Sequence, residues 1–304
     1  MGFLVVDSPL VPATRSGFVA LAGRPNVGKS TLANAIVGAK VAIVSDKPQT
    51  TRRAIRGVAT GPDWQLILVD LPGVQRPRDA LTERMQHRVE RELADADGCL
   101  LVINADQGLG PGDRFIAELL RVAPVKVTIA VNKVDRADQA RTAATLQAAA
   151  ELDLAEEIFP VSARTGAGVA LLVEYLIGRL PPGPFYFSAG ERSDQSPTIL
   201  LAELVREQIL SRTREEVPHA VEVEVTEIRH RPGLILIEAV ILTDTESQKG
   251  ILIGAHGRMI KSIGVAARRT IERELGSKVH LELSVRVRRH WRADERLLDR
   301  LGIE

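Results

Sequence analysis

The chain has 304 residues, 45% of them apolar, 26% charged and only 3% aromatic, and its formal net charge is +1. That length suggests two domains, each able to bury a core, and the balanced total charge gives no sign of a partner held by overall charge. A single cysteine, Cys99, excludes a disulfide framework, and no apolar run reaches the length of a membrane span.

The opening Met1-Gly-Phe-Leu-Val-Val6 has a short apolar stretch and no positive start, so it is not expected to be a secretory signal. Val6 also stands where a myristoylation site needs Ser or Thr. The first element is the apolar run Phe18–Ala22, which reads as a buried strand. Directly after it, Gly23-Arg24-Pro25-Asn26-Val27-Gly28-Lys29-Ser30 fits G-x-x-x-x-G-K-[ST], a phosphate-binding loop. Its glycines let the backbone aim several N–H groups at one phosphate. Lys29 is placed to meet the outer phosphates, and the Ser30 hydroxyl suits Mg2+, a hard cation that takes oxygen ligands. A helix follows from Thr31 to Val37, its N-terminus facing the anion.

Ser45-Asp-Lys-Pro-Gln-Thr-Thr-Arg-Arg53 is polar and contains proline, and reads as a mobile loop. Ala54–Thr60 and Gln65–Asp70 flank Gly61-Pro-Asp-Trp64 and should form a hairpin, adding one antiparallel strand to an otherwise parallel sheet. Asp70 ends its strand with a carboxylate able to hold magnesium through water, and Gly73 follows in a Leu-Pro-Gly turn with its N–H free to reach a γ-phosphate. Cys99–Ile103 is an apolar run that buries its cysteine. Val127–Val131 delivers Asn132-Lys133-Val134-Asp135 to a strand end, where open α/β sheets bind ligands. Asp135 is the candidate base selector. A carboxylate is acceptor-only and pairs with both the ring N1–H and the exocyclic amine of guanine, whereas adenine presents neither donor there. Asn132 should brace this loop and face the base, and the Lys133 stem can cover the ring. Ser162-Ala163-Arg164, after the strand Glu157–Val161, supplies a second loop beside the base.

In this order, these motifs resemble the translation-factor-related class of P-loop GTPases over residues 15–181. The resemblance implies a nucleotide-binding set of 23–31, Asn132, Lys133, Asp135, Ser162, Ala163 and Arg164, with GTP as substrate, GDP as product and Mg2+ as cofactor. It also implies that a switch-loop threonine closes onto the metal: Thr51 first, Thr50 second, so that Lys29, Thr51, Asp70 and Gly73 form the catalytic set. Val74 stands where Ras-like switches carry a water-orienting glutamine, which implies slow intrinsic hydrolysis. Relatives with an apolar residue there often bind K+ through an asparagine matching Asn26; the alternative for Asn26 is a simple turn-former.

Pro181-Pro-Gly-Pro184 cannot continue a helix, so the first domain is expected to span 1–181 and a linker 182–197, leaving 198–304 as the second. Lys plus Arg against Asp plus Glu number 21 and 20 in residues 1–180, 6 and 12 in 181–246, and 13 and 7 in 247–304, so basic charge is concentrated at the C-terminal end. The second domain reads as a helix (Ile199–Arg212), strands Ala220–Arg229 and Leu234–Leu242, a glycine loop, a helix (Met259–Leu275), a strand (Lys278–Arg289) and a short helix ending near Leu301. The alternation Val221-Glu-Val-Glu-Val225 predicts one wet face.

Ile253-Gly254-Ala255-His256-Gly257-Arg258 carries a G-x-x-G, which alone is usually a turn. Its flanking apolar residues, the element order and the basic surroundings resemble a type II KH domain, which holds single-stranded RNA. Arg258 and Lys261 could then neutralise phosphate, although Ala255-His256 lacks the lysine or arginine many such loops carry. Arg286 and Arg288 are expected on one strand face as a positive track, and Trp291 either stacks on a base or, the favoured reading, packs in a core.

The whole arrangement resembles the Era-like subfamily of P-loop GTPases, down to Pro-Gln-Thr-Thr-Arg in the switch loop and His-Trp-Arg-x-Asp-Glu-Arg near the end. The fold implied is an α/β P-loop GTPase domain, its mostly parallel sheet flanked by helices, followed by an α+β type II KH domain. The function implied is a GTP switch that binds the 3′ end of 16S ribosomal RNA and assists 30S subunit assembly in the cytoplasm, with some peripheral association at the inner face of the membrane. A C-terminal domain that binds a protein partner or membrane surface instead is the alternative, favoured by the acidic middle segment. Oligomeric state is not legible.

Overall fold

The computed structural model describes residues 14–47, 50–73 and 79–303. The opening hexapeptide, Val74 and the Pro48-Gln49 pair of the switch loop lie outside the described residues.

The N-terminal part alternates strand and helix: β1 (Arg15–Ala22), α1 (Lys29–Val37), β2 (Ile55–Thr60), β3 (Trp64–Asp70), α2 (Ala80–Asp95), β4 (Gly98–Asn104), α3 (Pro111–Val122), β5 (Val127–Asn132), α4 (Gln139–Ala150), β6 (Ala155–Pro160) and α5 (Val169–Arg179). Their sheet runs β2-β3-β1-β4-β5-β6; β2 is antiparallel to β3 and the remaining pairs are parallel. The expected hairpin is present, with β3 starting one residue early at Trp64, whose carbonyl accepts from the Gly61 N–H across the turn. Apolar residues alternate across the sheet into two cores. Ile103, Ile116 and Ile129 belong to one, and Leu21, Leu32, Leu68 and Leu172 to the other. Cys99 is buried in the first core as expected, and burial pushes its thiol up to about 12. With helices on both faces, the parallel strands are apolar on both sides, which is why they read as continuous runs.

The segment after α5 stays on the first domain. The Gly183 N–H donates to the Thr14 carbonyl, and the Gln65 side chain accepts from the Tyr186 and Phe187 N–H groups. The C-terminal part then comprises α6 (Pro197–Arg212), α7 (Val217–Ala220), β7 (Glu222–Arg231), β8 (Leu234–Thr243), α8 (Glu246–Ile253), α9 (Arg258–Leu275), β9 (Val279–Val287) and α10 (Glu295–Arg300). Here β7 pairs antiparallel and β9 parallel with the central β8. Helices α6, α8 and α9 cover one face.

Two elements differ from the sequence reading. The stretch read as a glycine loop is largely helix: Thr245 caps α8 in a reciprocal box with Gln248, and Gly250 sits inside the helix rather than ending it. At the start of β7 the wet face is missing, since Glu222 is 0% exposed because the first domain covers it. That contact includes an apolar joint in which Leu81 and Met85 of α2 meet Val240, Leu242, Trp291 and Leu298.

Candidate nucleotide and nucleic-acid sites

At the C-terminal ends of β1 and β3 the loop 23–30 turns back over the sheet into α1. Gly28 has φ +102°, and a Cβ there would lie 2.4 Å from the Asn132 Nδ2, so only glycine fits. The Lys29 ammonium folds under this loop and donates to the carbonyls of Gly23 (2.9 Å) and Arg24 (3.2 Å). Burial lowers its pKa to about 8, against the pull of Asp70.

Three oxygens converge beside it. Ser30 Oγ donates to Asp70 Oδ2 at 2.6 Å, Thr51 Oγ1 does so at 3.3 Å, and the two hydroxyls are 3.1 Å apart. Asp70 is 1% exposed and its Oδ1 has no partner. Burial raises its pKa, opposed by Lys29 and the two hydroxyls. Two hydroxyls and one carboxylate with an unpaired oxygen suit a hard, octahedral cation that keeps water and phosphate ligands, so the donor set fits Mg2+. Among the described residues no cluster of three or more His, Cys, Asp or Glu offers a metal cage of another kind. Thr50 lines the same cleft, with its hydroxyl donating to the Lys47 carbonyl. Gly73 packs on the loop, where a Cβ would meet Pro25 Cγ at 2.8 Å.

A cleft of about 50 Å3 over Lys29, Ser30, Thr51 and Gly73 adjoins one of about 540 Å3 walled by Lys133, Asp135, Ala163 and Arg164. The Asp135 carboxylate accepts from Ser162 Oγ (2.6 Å) and Arg164 Nε (2.9 Å), and these bonds hold its pKa below the usual range, so it stays an acceptor. Asn132 lines the wider cleft and braces it, as expected. Its Oδ1 accepts from the Lys133 and Ala163 N–H groups and its Nδ2 donates to the Val27 carbonyl, so it staples three loops together. Lys133 Nζ crosses to the Asn26 carbonyl at 2.5 Å, and Asn26 Nδ2 reaches the Asp46 carbonyl. Thr31 lines both clefts. Val27 is core, and Arg24 turns away to a 2.8 Å ion pair with buried Asp113, so both can offer the cleft only backbone. Sequence reasoning missed Val44, Gln107 and Arg136 on the cleft walls. Arg136 directly follows the selector and was the one with a local signal.

At the other end, Gly254 (φ +69°) and Gly257 (φ +73°) bracket a short 3-10 turn that opens α9, with Ala255 and His256 between them. A Cβ on Gly254 would lie 2.8 Å from the Met259 Cβ. The first turn of α9 thus presents free N–H groups and a partial positive charge next to Arg258 and Lys261. Ile253 ends α8 beside them. A groove of about 330 Å3 continues between α9 and β9, lined by Lys261, Gly264, Arg268, His280 and Leu283. Arg268 lies two turns beyond Lys261 on the same helix face, a spacing that could have flagged it. Arg286 is exposed on β9, and Arg288, one residue past the strand end, is exposed as well and pairs with Asp294 at 2.6 Å. Trp291 is 0% exposed, with its Nε1 donating to the Ala220 carbonyl, and it packs as core.

Comparison with known proteins covers the chain from both ends. A family model described as a 50S ribosome-binding GTPase matches residues 18–133, and a KH domain model matches 216–292. GTPase Era of Mycobacterium avium (strain 104) is 47% identical over 295 residues, 95% of this chain and 98% of that protein. GTPase Era of Mycobacterium tuberculosis (strain ATCC 25618 / H37Rv) is 47% identical over 294 residues, 94% and 98% respectively. A crystal structure of Era in complex with MgGDPNP and nucleotides 1506–1542 of 16S ribosomal RNA aligns with a TM-score of 0.92 at 35% identity, covering 95% of this chain and 99% of that one. Era of Aquifex aeolicus, a single-residue variant bound to GDP and aluminium fluoride, aligns at 0.90 with 34% identity and the same coverage.

Proposed function

From the membership of this chain in the Era family of GTPases, we propose a cytoplasmic GTP switch that grips the single-stranded 3′ end of 16S ribosomal RNA and assists 30S subunit assembly. The observation that carries the reading is the alignment of 95% of the chain with an Era structure holding MgGDPNP and 16S RNA together. Residues suited to both ligands stand at the corresponding ends of this fold. The working division is a GTPase domain over 1–181, a linker over 182–197 and an RNA-binding domain over 198–304.

At the nucleotide end, Lys29 and the loop N–H groups hold the β- and γ-phosphates, Asp135 pairs with guanine, and Gly73 senses the γ-phosphate through its N–H. Ser30 and Thr51 offer hydroxyls to magnesium and Asp70 holds it through water; when bound, the ion neutralises charge on the β- and γ-oxygens. With Val74 after Gly73, no side-chain amide orients the attacking water, and intrinsic hydrolysis is slow. Asn26 supplies an oxygen for K+ beside the phosphates; equal turnover in potassium and sodium would remove that role. At the RNA end, Ile253 to Gly257, Arg258 and Lys261 take the strand's phosphates, with Arg286 further along β9.

The acidic middle segment does not favour a protein partner or membrane surface, because Glu203, Glu207 and Glu222 turn inward onto Arg53, Lys40 and Arg52. Filter binding to a short single strand with the 3′ sequence tests the assignment. Gly257→Asp should abolish RNA capture and leave GTP affinity intact. Capture that survives the substitution places RNA elsewhere, and a wild-type chain that captures none returns the protein-partner reading.

A further inference from the structure

The switch loop does not hang free beside the nucleotide cleft. Thr51 reaches Ser30 and Asp70 with its side chain, yet the residues on either side of it are gripped by the C-terminal domain. On one side, Arg206 Nη2 donates to the Thr50 carbonyl. On the other, Arg52 Nη1 donates to the Val221 carbonyl (2.6 Å) and to Glu222 Oε2 (2.8 Å), and its guanidinium lies 5.4 Å from the Trp291 ring centre. Arg53 donates to Glu203 Oε1 (2.5 Å), Glu222 Oε1 (3.3 Å) and the Leu301 carbonyl (2.8 Å). The start of the loop is held as well, by Glu207, which accepts from the Val44 N–H (3.1 Å) and Lys40 Nζ (2.5 Å).

Three guanidiniums and two carboxylates make up this cluster, and Arg52, Arg206, Glu203 and Glu222 are each 3% exposed or less. No carboxylate in it is idle, so neutralising either leaves buried cations short of a partner and loosens the grip on the loop. Surface loops are ordinarily free to reorder around a phosphate. Here only Thr51, which carries the metal-facing hydroxyl, separates the anchored residues Thr50 and Arg52.

We propose that Glu203, Arg206 and Glu222 of the C-terminal domain are positioning residues for the GTPase reaction: through Thr50, Arg52 and Arg53 they set the place of Thr51 Oγ1 in the magnesium site. This rests on the reading of Thr51 as a magnesium-facing residue. The test measures, on the full chain, the Mg2+ concentration at which a fluorescent non-hydrolysable GTP analogue binds tightly, with GDP affinity in EDTA as the control. Thr51→Ala should raise the Mg2+ requirement by roughly tenfold, and Glu222→Gln should do the same with GDP binding in EDTA unchanged. In the Thr51→Ala background, Glu222→Gln should add nothing, because the hydroxyl it positions is gone. Arg206→Lys, which keeps the charge but not the fork that spans Glu203 and the Thr50 carbonyl, gives the same readout if Glu222→Gln does not fold. An unchanged requirement in Thr51→Ala sinks the underlying reading. A raised requirement in Thr51→Ala with no change in the C-terminal variants, or effects that simply add, overturns the positioning role.

Discussion

Two glycine loops in this molecule do the same local thing with opposite surroundings. Both place positive-φ glycines ahead of a helix, at Gly28 before α1 and at Gly257 before α9, so that free N–H groups face outward from a helix start. The first sits over a buried lysine and a buried aspartate; in the 3-10 turn of the second no residue is buried. A buried cradle concentrates binding in a few groups that are costly to leave unpaired, while an open one spreads it over exposed charges screened by salt. The difference teaches that one backbone device can serve an all-or-none recognition of a small anion and a graded hold on a polymer.

The sharpest way to break the contrast is at the base. Asp135→Asn should weaken GTP by roughly 10⁴-fold and favour xanthosine triphosphate, as competition binding would show; retained guanine selectivity would remove its selector role. Next, Lys29→Ala should cost roughly 10²- to 10³-fold in GTP affinity, measured by titration calorimetry, and leave RNA capture by the apo protein unchanged.

A smaller effect follows from pH. With the Lys29 pKa lowered by burial to about 8 and raised again once phosphates partner the ammonium, this lysine adds no pH dependence to binding well below pH 8. Above that, each complex must take up a proton, so GTP affinity should fall by up to about tenfold per pH unit until the bound lysine itself titrates. Calorimetry in buffers of different ionisation enthalpy would detect the uptake, and its absence at pH 9 would mean the lysine is already charged. Smallest is Lys261→Ala in the open groove. It should weaken RNA only several-fold, with the slope of log affinity against log salt reduced by about 0.7. A drop as large as that at Lys29 would mean the second loop is no more open than the first.

What was legible in the sequence was local. The run from Gly23 to Ser30, the Asn132–Asp135 turn and the Gly254–Gly257 turn each carry their chemistry within a few residues, so spacing, together with the order of the flanking elements, located them. Glu222 was read as solvent-facing because strand alternation reports only the strand. Its burial comes from Arg52 and Arg53, about 170 residues away in the chain. For Arg288, what alternation did not show was the ion pair with Asp294, which lies past the end of the strand. Asn132 was expected to brace its loop, but that the brace runs to Val27 and Ala163 on two other loops is visible only in the fold. Helix α8 was obscured by Gly250, an unfavourable helix residue overridden here by the Thr245 cap and by packing of Leu252.

The two loops form one device only if the state of the first is felt at the second, through the clamped segment that carries Thr51. The most direct test is the affinity for a single strand of the 16S 3′ sequence, measured on the empty protein, with GDP, and with a non-hydrolysable GTP analogue plus Mg2+. The triphosphate-loaded protein should bind the strand at least roughly tenfold more tightly than the other two. One affinity common to all three would contradict the account.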